Sequence, residues 1–158
     1  MARTSPQANR SGNGPIKNIR DLIEFFERSG ELVRVKRPVD KDKELAAVLK
    51  RVQTELKKAV LFESVKGTDF MVVGNLYGGR DKLARIFGVP EEEVVKEWVR
   101  SRESKPIKPV RVNSSPCQEV VHERNINIGE ILPIPYQYRG DAAPFNNSAV
   151  VVVKDPKT

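Results

Sequence analysis

The sequence predicts an α/β domain over residues 16–102, followed by the opening strands of a β-rich unit over residues 103–158. Two observations point this way. Up to Arg102, apolar residues recur alternately at helical and at strand spacing. From Ser101 onward, Pro106, Pro109, Pro116, Pro133, Pro135 and Pro144 break the chain into short extended pieces. A boundary is expected within Ser101–Pro109. Residues 1–15, rich in Ser, Asn, Gly and Arg, read as a disordered leader with no apolar core for a signal peptide.

The first element is a helix starting near Asn18. Ile19, Leu22, Ile23 and Phe26 fall on one face, and Phe25 widens the stripe. Asn18 suits the N-cap, Asp21 places a negative charge in the first turn, and Gly30 is a left-handed stop. Glu31–Lys36 alternates as a strand and ends before Pro38. A second amphipathic helix runs from about Lys43 to Lys58, with Leu45, Val48, Leu49, Val52 and Leu56 inward. Val60–Phe62 and Phe70–Val73 read as neighbouring strands joined by the turn Lys66-Gly67-Thr68-Asp69. A glycine-rich turn, Gly74–Gly79, leads into a helix over Arg80–Phe87 that Gly88 stops. Pro90 opens another helix, with Glu91-Glu92-Glu93 in its first turn and Val94, Val95 and Trp98 inward. The later strands are expected at Val110–Val112, Glu119–His122 and Ser148–Lys154.

Composition narrows the function classes. A chain of 158 residues fits one domain, or one domain and a piece of a second. The single cysteine, Cys117, rules out an internal disulfide framework and a Cys-based zinc site, which suits a cytoplasmic location. The longest apolar run, Ala149–Val153, is far below the roughly 20 residues of a membrane helix, so no membrane span is expected. Net charge is +7, but acids interleave with bases, as in Lys41-Asp42-Lys43-Glu44. With no aromatic-spaced basic strip to stack bases, a mixed charged surface is favoured over nucleic-acid binding.

Few residues suggest chemistry. Gly74–Gly79 lacks both the dinucleotide fingerprint and the P-loop Lys-Ser/Thr pair, so it reads as a tight structural turn. His122, the only histidine, has no orienting partner nearby and reads as a structural or surface residue. Cys117 lacks a cationic neighbour and reads as a small packed residue. Glu91–Glu93 is accounted for by the helix dipole. The stretch Ile131–Asn147 resists a bland reading. It is rigidified by prolines and carries Tyr136, Tyr138, Phe145 and Asp141 ahead of an apolar strand, where binding groups tend to sit.

The order of segments resembles the UbiD family. Asp21–Val35 is similar to the family's opening. The likeness continues through Val39-Asp40, Glu44-Leu45, Leu61–Gly67 and Val72–Arg80, then Pro116–Val121, Leu132–Pro135, Asp141–Pro144 and Asp155-Pro156. It covers about Ile16 to Lys157. The resemblance implies a UbiD-type N-terminal α/β domain, then the first strands of a split β-barrel of flavin-reductase type. It further implies reversible decarboxylation of aromatic or α,β-unsaturated carboxylic acids with prenylated FMN, Mn2+ and K+, in a homo-oligomer.

The same resemblance places the family's catalytic Glu-Arg-Glu network, and its Asn, His and Glu metal ligands, beyond Thr158. No catalytic or metal residue therefore carries over, and the chain alone is expected to be inactive. Asn147 stands where the family usually has a Thr near the flavin phosphate, and is the one cofactor-binding candidate. Asn146 there replaces an apolar residue, and Ser148-Ala149 replaces Ala-Gly. Two readings follow: the N-terminal part of a carboxy-lyase, or a standalone non-catalytic subunit that pairs with a full-length UbiD-type partner. A basic nucleic-acid module rests on net charge alone.

Overall fold

A computed structural model describes residues 16–105 and 108–145. The leader, Asn147 and the strand expected at Ser148–Lys154 lie outside the described residues. The first helix, α1, spans Ile19–Arg28. The Asn18 side chain accepts the Arg20 and Asp21 amides at 2.8 and 3.1 Å, satisfying two of the donors a helix start leaves open. Gly30, at φ +70°, turns the chain into strand β1, Leu32–Val35. Helix α2, Glu44–Glu55, then crosses to β2, Ala59–Phe62, which lies parallel to β1 in the register Leu32↔Ala59. Strand β3, Val72–Gly74, returns antiparallel to β2, completing a sheet ordered β1-β2-β3.

All four residues of β2 are buried because helices cover both faces of the sheet. Alternation along the strands sends Val60 and Phe62 to one face with Val33, Val35 and Val72. There they meet Val39, Leu45, Val52 and Val65 beneath α2. Ala59 goes to the other face with Leu32 and Val73, against Leu22, Phe25 and Phe26 of α1 and Leu76. Burying one such aromatic or aliphatic side chain contributes about 1.5–3 kcal/mol. Helix α3, Arg80–Phe87, ends at Gly88 in the left-handed conformation. The Glu91–Glu93 turn is 3-10 and leads directly into α4, Val94–Glu103.

Four expectations need correction. On α4 only Val94 is buried; Trp98 meets Phe87 of α3, ring centroids 6.2 Å apart, yet it and Val95 stay more than half exposed. Leu56 is exposed because α2 has ended: Lys57 adopts φ +53° and swings the chain away. Its carbonyl accepts a hydrogen bond from Lys82, a fully buried lysine on α3 that complements the negative end of α2. Val110–Val112 and Glu119–His122 are not strands. A strand exists by pairing, and these segments have no hydrogen-bonding neighbour among the described residues. Instead Pro116–Gln118 forms a 3-10 turn and Ile128–Ile131 a single helical turn, α5. Cys117 is exposed rather than packed, with Ser115 Oγ 3.2 Å from its sulfur.

Candidate functional site

The glycine-rich turn is shaped by packing against α2. Asn75, at φ +59°, donates from Nδ2 to the Leu49 carbonyl at 2.9 Å. The Gln53 amide reaches the Gly78 carbonyl. A Cβ on Gly74 would overlap Leu49 Cδ2, and one on Gly78 would overlap Gln53 Oε1. These glycines let a helix approach the backbone, as expected of a structural turn.

The loop that resisted a bland reading is closed by its own backbone. Asp141 Oδ2 accepts the amides of Gln137 at 3.2 Å and Tyr138 at 2.8 Å, while the Asp141 amide returns to the Tyr138 carbonyl at 3.3 Å. The Phe145 amide donates to the Pro135 carbonyl at 3.3 Å. The carboxylate of Asp141 is thus an anchor, already committed to backbone donors. Tyr138 is exposed.

This loop is tied to the α/β domain at the entrance to α2. The Lys43 amide donates to the Tyr136 carbonyl at 3.2 Å, and Asp42 pairs with Tyr136 in a parallel bridge. Lys41 Nζ donates to the Gly129 carbonyl at 2.7 Å. Sequence reasoning took Lys41–Glu44 as a solvated charge run and missed this docking point. Its signal is conformational: Lys43 sits at φ +70°, which no spacing rule announces.

Charges around that entrance are ordered. Glu44 accepts the Asp40 amide at 2.8 Å and Arg37 at 2.6 Å, and the Asp40 hydrogen bond first, then Arg37, hold its carboxyl below the ordinary range. On the other side of the sheet Arg34 grips Glu27 through both carboxylate oxygens, at 2.6 and 2.8 Å, and Glu63 at 2.7 Å. The Arg34 hydrogen bond draws the Glu27 carboxyl down, and the two glutamates raise the guanidinium. These groups join α1, β1 and the end of β2; they are structural clamps.

His122 is exposed, and among the described residues no hydrogen-bond partner orients it as a base. No group of three or more His, Cys, Asp or Glu among the described residues is arranged to hold a metal ion. An open groove of about 610 Å³ runs between α1 and the α3 end, lined by Phe25, Ser29, Asp81, Arg85, Pro90 and Glu91. It contains none of the loop 131–145. Among the described residues no helix is long and apolar enough to cross a membrane.

The geometry is that of a small α/β domain with a three-stranded mixed sheet, followed by a loop docked on it at Lys43. The family model for the 3-octaprenyl-4-hydroxybenzoate carboxy-lyase N-terminal domain matches residues 23–102, and that for its Rift-related domain matches residues 108–158. The chain belongs to the UbiD family of carboxy-lyases.

Relatives and solved structures agree. The chain is 33% identical over 150 residues to phenolic acid decarboxylase of Sedimentibacter hydroxybenzoicus, covering 89% of this chain and 31% of that protein. It is 35% identical over 134 residues to anhydromevalonate phosphate decarboxylase of Methanosarcina mazei, covering 84% and 29%. The UbiD-class enzyme HmfF from Pelotomaculum thermopropionicum, solved with FMN, superposes with a TM-score of 0.70 at 34% identity, over 79% of this chain and 28% of its own. An evolved dimeric form of HmfF holds prFMN. The chain spans about 30% of the length of the curated relatives it matches.

Proposed function

We propose that this chain is the N-terminal part of a UbiD-type carboxy-lyase that reversibly decarboxylates aromatic or α,β-unsaturated carboxylic acids with prenylated FMN. The observation that carries the reading is the unbroken order of two family domains, 23–102 then 108–158, in one chain. Support comes from similar folds whose structures hold FMN or prFMN. The role of the described part is positioning. Its clamps stiffen the α/β domain, and the entrance to α2 holds the loop that leads toward Asn147. Residues 103–158 then begin a split β-barrel, with the domain boundary within Ser101–Pro109.

Among the described residues no cluster of His, Cys, Asp or Glu is arranged to hold a metal ion. When bound, prenylated FMN would supply the bond-breaking chemistry, with Mn2+ and K+ as the accompanying ions that the family resemblance implies. Within this chain Asn147 is the proposed contact, its side-chain amide donating to a phosphate oxygen. The proposed setting is a cytoplasmic homo-oligomer, or a complex with a full-length UbiD-type subunit.

The test has two arms. The 158-residue polypeptide, supplied with prenylated FMN, Mn2+ and a panel of aromatic and unsaturated acids, should release no carbon dioxide; turnover by it alone refutes the assignment of the catalytic groups to residues outside it. Reading the transcript past the Thr158 codon is the second arm. An open frame encoding an Asn-x-Gly-x-Tyr-Arg segment supports a carboxy-lyase, and an in-frame stop points to a non-catalytic subunit.

A further inference from the structure

The entrance to α2 is strained as well as ordered. Lys43 stands at φ +70° and ψ −34°, and across it the Glu44 amide donates to the Asp42 carbonyl at 2.9 Å. A hydrogen bond spanning two residues about a positive φ is a γ-turn of the rare, strained kind, outside the wells a lysine prefers. Such strain persists only where the surroundings over-determine it. From within, Asp40 accepts the Asp42 amide on its side chain at 2.8 Å and the Leu45 amide on its carbonyl at 3.0 Å, and Glu44 accepts the Asp40 amide at 2.8 Å. From outside, the Tyr136 carbonyl accepts the Lys43 amide at 3.2 Å, and the Gly129 carbonyl accepts Lys41 Nζ at 2.7 Å. Among the described residues no side chain caps α2, so its first turn depends on this backbone arrangement.

The loop on the other side of the contact closes on itself. Asp141 Oδ2 holds the Gln137 and Tyr138 amides, and the Phe145 amide donates to the Pro135 carbonyl, each bond lying within the loop. A turn that stores strain thus meets a loop that keeps its own shape, across a few hydrogen bonds. We propose that the γ-turn at Lys43 is a latch with two states. Docked, Tyr136 holds the Lys43 amide and the turn stays at positive φ. Released, residue 43 relaxes to negative φ and the loop leaves as one piece. Docking of the loop and the start of α2 are then coupled, each biasing the other by the same factor. Lys43 acts through its backbone as a positioning residue for the loop that leads toward Asn147. That last consequence rests on the proposed function; the latch is read from the geometry itself.

The experiment is amide hydrogen exchange, resolved by NMR on the full 158-residue chain and corrected for each residue's intrinsic rate. Opening of the latch is read at residue 43, closure of the loop at Gln137 and Tyr138, and the domain at Ala59, whose amide donates to the Glu31 carbonyl. In the unmodified chain residue 43 should open at least about tenfold more often than Ala59. Low urea should speed Ala59 but not residue 43, because undocking exposes little surface. Lys43→Gly removes the Cβ that makes the turn costly and should slow opening roughly threefold, relief of strain outweighing glycine's freedom when released. Lys43→Val, β-branched and poorly suited to positive φ, should speed it roughly tenfold. Lys41→Met removes the Gly129 contact and should speed it roughly threefold. Gln137 and Tyr138, held within the loop in either state, should keep the parent's rates. A glycine chain that opens as often as the parent, or oftener, overturns the strained latch, as does residue 43 following Ala59 in rate and urea dependence. Gln137 and Tyr138 changing in step with residue 43 would mean a loop that melts rather than undocks, and overturns the two-state reading. The parent and the glycine chain decide the matter without the valine chain. No flavin or acid is present, so a failed latch leaves the carboxy-lyase reading standing, and turnover by the polypeptide alone leaves the latch standing.

Discussion

Replacing Gly74 by alanine tests whether the glycine-rich turn exists for packing. Gly74 closes β3 opposite Val60 and lies under α2. An added Cβ would overlap Leu49 Cδ2 and stand 3.3 and 3.4 Å from Cδ1 and Cγ. Leu49 can rotate away only by leaving the cluster built on Leu45, Val60 and Phe62. Overpacking of this kind costs about 1–3 kcal/mol. The alanine returns roughly 0.4–1 kcal/mol by restricting the unfolded chain. The net expectation is a loss of about 1–2 kcal/mol, or roughly 5–15 °C in Tm for a domain of this size. Urea unfolding followed by far-UV circular dichroism measures it. The decisive control is Leu49→Ala, which removes the obstructing methyls. In that background Gly74→Ala should cost almost nothing further, so the two changes couple by about 1–2 kcal/mol. Equal penalties in both backgrounds, or a Gly74→Ala chain as stable as its parent, would refute the packing account.

Two further expectations concern the same domain. Asn18→Ala removes the acceptor of two amides at the start of α1 and should lower stability by about 1 kcal/mol, with Asn18→Ser retaining most of it, as urea midpoints would show. Glu27 and Glu44 have folded-state carboxyls drawn below their ordinary value of 4.5. Their contribution is therefore complete above that value and drains away as pH falls through the depressed range. Urea midpoints between neutral and acidic pH should fall less steeply in Glu27→Gln and Glu44→Gln than in the parent; an unchanged slope would sink the linkage.

The N-terminal elements were legible because each is specified locally. Asn18, Gly30 and Gly88 sit where the sequence rules put them, and β2 reads as a continuous apolar run because both its faces are buried. What escaped depends on partners distant in sequence. Val95 and Trp98 look like core residues by spacing, yet spacing reports only that a face is apolar, not that something covers it. Val110–Val112 has strand composition, but pairing makes a strand. The docking of Tyr136 on Lys43 depends on a backbone conformation that lysine seldom adopts. In the loop after Ile131 the anchoring role of Asp141 was not legible, because it depends on which backbone amides the fold turns toward that carboxylate.

The polar chemistry of the described residues is spent on holding elements together. Arg34 joins α1, β1 and the end of β2; Glu44 fixes the entrance to α2; Lys82 caps the far end of α2; Asp141 closes its own loop. Groups that perform acid–base or nucleophilic work need capacity left over: a lone pair or proton not already engaged, in a water-poor setting. In Arg34, Glu44, Lys82 and Asp141 that capacity has been used in construction. The apolar side chains tell the complementary story. They are packed around the sheet, but from Val110 to Ile128 they are largely exposed on backbone that touches the α/β domain chiefly through Lys41–Lys43. A domain whose buried and clamped charges hold its elements together, attached at one turn to a segment whose apolar groups are exposed, has the physical character of a positioning platform. Under the proposed function, its contribution is geometric, setting where the second unit begins.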